Sequence, residues 1–230
     1  MATESPAQAP LSTEQVFDAI GPAYEAAFEG LPEQAASVGW LLSQLEAAGI
    51  KSAKIVDIGC GTGKPVCWAL GGAGHDVLGI DISSAMITAA RERVPGVKFE
   101  QMNLRDFSPA DNSFDAATVY FSMIAGVTQE EIGKGIASIY RFIKPGGLFV
   151  FATVPISAEN IQIKWMGHMV TVSSLGPEEA VELIKKVGFQ IEHEAISKFT
   201  PKGVEAGICK LEDIWEETHL FVYAKKPVSQ

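Results

Sequence analysis

Short apolar segments rich in β-branched residues alternate along most of the chain with longer segments whose apolar positions recur every three or four residues. The first pattern is typical of buried strands, and the second is typical of amphipathic helices. Seven strands are predicted, at residues 54–58, 76–80, 97–101, 114–121, 148–154, 189–196 and 219–224. Strands that alternate with helices predict an α/β fold with a doubly wound, mostly parallel sheet.

Two helical patterns precede the first strand and predict an N-terminal helical cap at residues 11–50. The first pattern covers about residues 13–29, where Gly21-Pro22 is expected to kink the helix because proline interrupts the backbone hydrogen bonds. Residues 51–230 are expected to form the core of the same domain. Residues 1–10 are polar and lack the basic and apolar regions of a secretory signal, which predicts a flexible leader.

Two segments of the second half show no clear periodicity. Residues 156–175 are expected to form an irregular connection that contains Trp165, Met166, His168 and Met169. The second segment covers residues 197–217. Its part from residue 202 onward would suit either a lid or a contact between subunits, and the sequence does not distinguish the two.

The first predicted strand ends in a glycine-rich turn, Gly59-Cys60-Gly61-Thr62-Gly63, and a helix with Pro65 in its first turn follows. Glycine lets the backbone turn tightly and approach a ligand without a Cβ atom in the way. The unpaired N–H groups and the positive dipole end of the helix favour an anionic or carboxylate-bearing ligand. The turn is therefore predicted to hold a cofactor at the carboxyl end of the first strand.

An acidic residue at the end of the second strand narrows the class of cofactor. Asp81 follows Gly63 by eighteen residues, where a carboxylate accepts hydrogen bonds from both hydroxyls of a ribose. The glycine spacing does not match a P-loop. Lys64 stands where the dinucleotide pattern has its last glycine, which weakens the case for NAD without removing it. An adenosine-containing cofactor is the prediction.

A series of segments, in order along the chain, resembles the motifs of class I S-adenosylmethionine (SAM)-dependent methyltransferases. They are VDIGCGTG at residues 56–63, GIDIS at 79–83 with Met86 beyond it, QMNLRD at 101–106, NSFD at 112–115, RFIKPGG at 141–147 and KVGF at 186–189. The resemblance runs from about residue 16 to residue 227. It implies a Rossmann-like sheet of seven strands, in which strand seven is antiparallel and lies between strands five and six, and it implies SAM as the cofactor.

The resemblance also implies roles for individual residues. The glycine turn would wrap the methionine part of SAM, and Asp81 would bind the ribose. Ile82 and Met86 would enclose the adenine. The residues assigned to the cofactor in this way are Phe17, Tyr24, Gly59, Cys60, Gly61, Gly63, Asp81, Ile82, Met86, Asn103, Leu104, Phe121 and Ser122. Asn103 departs from the family pattern, which has an aspartate there. Its amide oxygen still accepts a hydrogen bond from the adenine amino group.

The sequence contains no strong catalytic pattern, which suits methyl transfer from an activated sulfonium, where positioning and exclusion of water are the main tasks. The candidates for contact with a small-molecule acceptor are Met123, Trp165, Met166 and Met169. His168 is the candidate general base, because a neutral imidazole suits that role near pH 7. His193 and His219 fall in predicted strands and are interpreted as structural.

Composition limits the other partners. The three cysteines form no CxxC pair and have no metal-ligand spacing with histidine, which predicts a reducing compartment, most simply the cytoplasm, and no metal site. A net charge of −10 argues against nucleic acid as a partner. The apolar runs are too short to span a bilayer, so no membrane association is expected. The oligomeric state stays open.

Two other classes of function are compatible with parts of this prediction, one that keeps SAM as the cofactor and one that replaces it with NAD. A protein with this fold could bind SAM while catalysing another reaction, or it could serve as a non-catalytic partner. The other class is an NAD-dependent oxidoreductase. Tyr140 and Lys144 match the YxxxK spacing of short-chain dehydrogenases, but Lys144 directly precedes Pro145-Gly146-Gly147 at a predicted helix end, which argues against a catalytic pair.

Overall fold

The structure, a computed structural model, describes residues 9–228, so most of the predicted leader lies outside the described residues. The strands are β1 (Lys54–Ile58), β2 (Asp76–Asp81), β3 (Lys98–Gln101), β4 (Phe114–Tyr120), β5 (Ile143–Thr153), β6 (Ala158–Trp165), β7 (His168–Ser174), β8 (Gln190–Phe199) and β9 (Glu217–Lys225). The helices are α1 (Thr13–Ile20), α2 (Ala23–Ala27), α3 (Pro32–Ala47), α4 (Val66–Gly72), α5 (Ser84–Arg93), α6 (Gln129–Phe142) and α7 (Pro177–Val187).

Seven strands form the main sheet in the order β3-β2-β1-β4-β5-β9-β8. Strands β1 to β5 pair in parallel, whereas β9 is antiparallel to both of its neighbours, β5 and β8. The predicted fold class, with an antiparallel last strand inserted between the fifth and sixth strands of the sheet, is confirmed. Because β9 runs backwards, its first residues lie at the edge where the parallel strands end.

Helices cover both faces of this sheet, which explains why its central strands are apolar on both sides. On one face α3 and α4 contribute Leu41, Leu45 and Leu70 to a buried cluster. On the other face α6 and α7 contribute Ile136 and Ile184. The carboxyl edge of the sheet is left free of these helices, and the site lies there.

The predicted cap forms, and its first helix is interrupted at the predicted place. Helix α1 begins with a capping box at Ser12 and ends at Gly21, whose φ of 59° is in the left-handed region that favours glycine. Pro22 then opens the short helix α2. The helical hydrogen bonds therefore stop at Gly21-Pro22, and the chain bends over the edge of the sheet.

The prediction of an irregular connection at residues 156–175 is wrong. Strands β6 and β7 form an antiparallel hairpin there, with Trp165 opposite His168. Ile161, Ile163 and Trp165 alternate with polar residues, which is the two-residue period of a strand. The turn signal is hidden because Met166, a residue type that is uncommon at positive φ, adopts a φ of 48° beside Gly167.

The segment predicted to be looser, residues 197–217, is shorter than expected, since β8 continues to Phe199 and β9 begins at Glu217. Between them the chain packs against the cap, where the N–H of Lys202 donates to the carbonyl of Ala27 at 2.8 Å. No helix within residues 9–228 is both long enough and apolar enough to cross a membrane.

Candidate cofactor and acceptor site

The glycine turn after β1 has the geometry that its sequence predicts. Gly59 and Gly61 have φ values of 72° and 53°. A Cβ atom on Gly59 would lie 2.0 Å from the Cβ of Ser122, so a side chain cannot be accommodated there. Nothing lies within 4 Å of a Cβ built on Gly61, which leaves that side of the turn open to a ligand.

Gly63 belongs to the same turn but serves packing. A Cβ atom on this residue would lie 2.8 Å from the Cζ atom of Phe99. Gly63 also lines neither of the two cavities described below. The structure therefore does not place Gly63 at either cavity, and its contact with the cofactor stays a prediction.

Asp81 connects the glycine turn to the start of α5. Its Oδ2 atom accepts from the N–H of Gly61 at 2.9 Å, and its Oδ1 atom accepts from the N–H of Ser83 at 2.9 Å. Burial raises the pKa of this carboxyl group, while the two N–H groups oppose the effect. Each carboxylate oxygen retains acceptor capacity, as binding to ribose hydroxyls requires.

A cavity of about 500 Å³ opens between the glycine turn and the carboxyl ends of β2, β3 and β4. Most of the predicted cofactor residues line it, together with one predicted acceptor residue: Phe17, Tyr24, Gly59, Gly61, Asp81, Ile82, Met86, Asn103, Leu104, Phe121, Ser122 and Met123. We call Gly59, Gly61, Asp81, Ile82 and Met86 the cofactor wall.

A second cavity, of about 390 Å³, lies on the other side of the turn. Its lining includes Cys60 and Thr62, and Tyr24 and Phe121 line both cavities. The glycine turn with Tyr24 and Phe121 therefore separates two compartments. An extended ligand that passes the turn would contact both of them.

Asn103 follows β3 at the larger cavity. Its Oδ1 atom accepts from the N–H of Arg105 at 3.0 Å, which leaves one of its two lone pairs for a ligand. Arg105 in turn donates to Glu131 and to the carbonyl of Gly126, each at 2.9 Å. The Arg105 guanidinium lowers the pKa of Glu131 to about 2, so this carboxylate stays charged and holds the loop in place.

Asp57 forms a buried floor beneath the glycine turn, at the second cavity. Its carboxylate accepts from the Thr118 hydroxyl at 2.7 Å and from the Cys67 thiol at 3.3 Å. Burial raises the pKa of Asp57 to about 6, although both hydrogen bonds oppose this shift.

Two acidic residues of the cap, which sequence patterns did not single out, tie it to the glycine turn and to helix α5. Asp18 accepts from the Ser83 hydroxyl at 2.6 Å and from the N–H of Ala85 at 3.1 Å, at the start of α5. Glu25 accepts from the Thr62 hydroxyl at 2.8 Å and pairs with Arg93. No local signal predicts these contacts, because each joins residues more than thirty positions apart.

Aromatic side chains cluster where the cap meets the hairpin. Tyr24 and Phe28 of this cluster line the second cavity, whereas Trp165, Glu217 and His219 line neither cavity and lie behind them. Trp165 lies with its ring centroid 6.1 Å from that of Phe17, 6.3 Å from that of Tyr24 and 6.4 Å from that of Phe28. The Trp165 Nε1–H group donates to Oε1 of Glu217 at 2.9 Å. Glu217 also contacts His219, which lies two residues further along β9. We call Tyr24, Phe28, Trp165, Glu217 and His219 the acceptor wall.

All the predicted residues on the hairpin, Trp165 included, line neither cavity. Met166 is buried and packs against Cys209, while Met169 accepts from the N–H of Leu11 through its carbonyl. His168 pairs with Trp165 at the hairpin turn and is half-buried. The structure therefore does not bring His168 to the cavities, and its role as a base stays a prediction.

Comparison with known proteins assigns the family. The family model described as a methyltransferase domain matches residues 55–147. A demethylmenaquinone methyltransferase of Bacteroides fragilis is 30% identical over 181 residues, which cover 71% of this chain and 69% of the relative. Methyltransferase GfsG of Streptomyces halstedii is 26% identical over 150 residues, or 60% of this chain and 53% of the relative. The chain spans about half the length of several curated relatives that it matches.

Solved structures agree on the fold. A SAM-dependent methyltransferase of Methanosarcina mazei superposes with a TM-score of 0.64 at 21% identity, over 78% of this chain and 94% of the other. The [4+2]-cyclase SpnF superposes with a TM-score of 0.63 at 20% identity, over 94% and 96% of the two chains. The chain belongs to the class I SAM-dependent methyltransferases. The cofactor predicted from the sequence is that of the family and is confirmed at this level.

Proposed function

We propose that this protein transfers a methyl group from SAM to a small-molecule acceptor, and that residues 11–230 act as one domain in doing so. The observation that supports this proposal is the larger cavity, in which Asp81, the open side of Gly61 and the cap residue Tyr24 meet around one space. The relatives named as methyltransferases favour methyl transfer over the alternative reactions that the fold also accommodates.

The residues present fit this cofactor. Asp81 would accept from the ribose hydroxyls, and Ile82, Met86 and Leu104 would enclose the adenine, with the remaining lone pair of Asn103 for its amino group. The open side of Gly61 would admit the methionine part. When bound, SAM supplies a methyl group that its sulfonium has already activated.

The chain itself would supply positioning and a dry environment. Phe17 and Tyr24 of the cap line the larger cavity, and Asp18 and Glu25 bind the cap to the start of α5 and to the glycine turn. Ser122 is held at the edge by a 2.6 Å hydrogen bond from its hydroxyl to the carbonyl of Ile58. Excluding water and fixing the acceptor in line would account for most of the acceleration.

The acceptor wall supports a small acceptor with a planar, largely apolar ring, because Tyr24, Phe28 and Trp165 are aromatic and its two polar residues, Glu217 and His219, are buried. Among the relatives, an N,N-dimethyltransferase of Streptomyces venezuelae, 33% identical over 101 residues, is named for an amino sugar, and others are named for demethylmenaquinone. Three free thiols and the net charge of −10 support the cytoplasm as the location and argue against a nucleic-acid partner.

Two measurements test the proposal. Isothermal titration should detect binding of SAM and of S-adenosylhomocysteine to the purified protein. Labelled SAM should then transfer its methyl group to at least one member of a panel of hydroxyl, amine and thiol acceptors. If neither SAM nor S-adenosylhomocysteine binds, the assignment of the site is wrong. Conversion of a substrate without consumption of SAM would favour a reaction other than methyl transfer, such as a cyclisation.

A further inference from the structure

Two polar residues, Glu217 and His219, are buried at the start of β9, with 7% and 0% of their surfaces exposed. Strand β9 pairs antiparallel with β5, so that Leu220 lies opposite Thr153, the last residue of β5. The pair therefore lies at the carboxyl edge of the sheet, on the same edge as both cavities. A buried carboxylate and imidazole at this edge require an explanation beyond core packing.

The hydrogen bonds of Glu217 determine which nitrogen of His219 carries the hydrogen. Oε1 accepts from the Trp165 Nε1–H group at 2.9 Å, and Oε2 lies 3.0 Å from Nε2 of His219. An ionised carboxylate only accepts hydrogen bonds, so Nε2 of His219 must be the donor. In the neutral ring the other nitrogen, Nδ1, then has a free lone pair and is a base.

This basic nitrogen has no partner. Nδ1 of His219 is buried and makes no hydrogen bond to any residue within 9–228, and the same is true of the Ser197 hydroxyl. The two residues are direct partners across β8 and β9, so their side chains lie on the same face of the sheet. Buried polar atoms are rarely left unpaired, so the lone pair of Nδ1 is available to a donor that approaches this face of the sheet.

The His219 ring contacts an aromatic ring that lines both cavities, and it also stacks on Phe199 with a centroid distance of 6.2 Å. The Phe121 ring centroid lies 4.5 Å from that of His219, and Phe121 lines both cavities. The backbone of Phe121 has a φ of 57°, which is uncommon for a large side chain and is typical of functional sites when it occurs. Phe121 is therefore the side chain through which His219 adjoins the space at the glycine turn.

We infer that Glu217 and His219 form a proton-accepting dyad for a methyl acceptor that carries a hydroxyl group on a planar ring; this inference rests on the proposed function. The acceptor oxygen forms the new bond to the methyl carbon, and the electron pair of the broken carbon–sulfur bond stays on sulfur as a neutral thioether. The hydroxyl proton passes to Nδ1 of His219. Glu217 holds the ring in the required tautomer and stabilises the imidazolium.

The first test needs no acceptor. Long-range proton–nitrogen NMR of the protein with ¹⁵N-labelled histidine, in complex with S-adenosylhomocysteine at pH 7, should show His219 with hydrogen on Nε2 and none on Nδ1. The His219→Gln spectrum identifies its signals. A Glu217→Gln variant places an amide N–H opposite Nε2 and should shift the hydrogen to Nδ1. A wild-type ring with hydrogen on Nδ1 would overturn the inference.

The second test measures transfer from labelled SAM to 1,4-dihydroxynaphthalene and to simple phenols. His219→Gln and Glu217→Gln should each lower kcat by about 100-fold or more, as expected for removal of a general base. Both should bind SAM within about twofold of the wild-type affinity, which shows that the cofactor site is intact. His193→Gln, a change in an exposed histidine of β8, is the matched control and should retain full activity.

Several outcomes are decisive. Variants of His219 and Glu217 that keep kcat within threefold of the wild type would overturn the dyad. Methylation of amines or thiols by the wild type, with none on any hydroxyl probe, would overturn the acceptor class, and so would binding of SAM without transfer to any hydroxyl. Absence of SAM binding would instead contradict the proposed function itself.

Discussion

The cofactor wall and the acceptor wall meet at the same edge of the sheet but are built in different ways. The cofactor wall comes from one continuous stretch of the chain, residues 59–86, which follows β1, contains α4 and β2 and ends in the first turn of α5. The acceptor wall joins α2, β6 and β9, which are far apart in sequence. A binding surface made from local turns is visible as a motif, whereas one made from distant elements is not.

The largest loss of stability is expected for a substitution of Gly59, the residue of the cofactor wall at which a side chain has no space. Gly59→Ala introduces a Cβ atom that meets Ser122, in a backbone conformation that disfavours it. We expect a loss of about 2–5 kcal/mol in the free energy of unfolding from overpacking and strain combined. Gly61→Ala, with open space around its Cβ, should lose only about 1–2 kcal/mol. Urea denaturation compares them, and equal losses would contradict the steric argument.

The next effect concerns Asp57, which lies beneath the glycine turn, and it depends on pH. Its pKa is raised to about 6 in the folded protein, so the native state keeps a proton that the unfolded chain releases above pH 4. The contribution of Asp57 to the free energy of unfolding therefore falls by on the order of 3 kcal/mol as the pH rises from about 4 to 6.

Asp57→Asn removes this titration while keeping an amide oxygen for the Thr118 hydroxyl. The free energy of unfolding of the variant, relative to the wild type, should therefore increase between pH 4 and pH 7. Asp76→Asn, a change at an exposed position, serves as the control. A difference that stays constant over this range would show that Asp57 titrates normally.

Asp81→Ala should weaken SAM binding by about 1–3 kcal/mol, because the variant lacks the carboxylate that is proposed to accept from the ribose. Removal of the carboxylate also leaves the N–H groups of Gly61 and Ser83 without their acceptor. Isothermal titration measures the affinity, with Asp76→Ala at the other end of β2 as the matched control. An affinity equal to that of the wild type would remove the ribose role of Asp81.

The smallest effect is expected in the acceptor wall. Trp165→Phe keeps an aromatic ring but removes the N–H donor to Glu217, which should lower the free energy of unfolding by about 1–2 kcal/mol. Affinity for SAM should stay within about twofold of the wild type. Trp215→Phe, at a side chain that is 42% exposed, is the control. A strong loss of SAM affinity would show that the two walls are not independent.

The residues predicted from motifs are brought together where their motifs are local. Gly59, Gly61 and Asp81 line one cavity, as their spacing along adjacent parallel strands implies. Gly63 stands in the same motif but packs against Phe99, a contact that depends on β3. The hairpin at residues 158–174 was not predicted, because a methionine at positive φ conceals its turn.

Histidines show the limit of pattern-based prediction most clearly. His168 is the predicted base because a neutral imidazole suits that role near pH 7, yet it lies at the hairpin turn and lines neither cavity. His219 was interpreted as structural because it begins a strand. Its Glu217 partner, its unpaired Nδ1 atom and its closeness to Phe121 come from β9 entering the sheet backwards.

Alternating apolar periods, glycine spacing and one acidic residue were enough to establish the sheet, the cofactor class and the turn that receives it. These features depend on residues that are neighbours along the chain, where backbone sterics and strand ends are local properties. The acceptor wall was decided by tertiary structure. It depends on strand order and on the antiparallel direction of β9, which place side chains together that no sequence period relates.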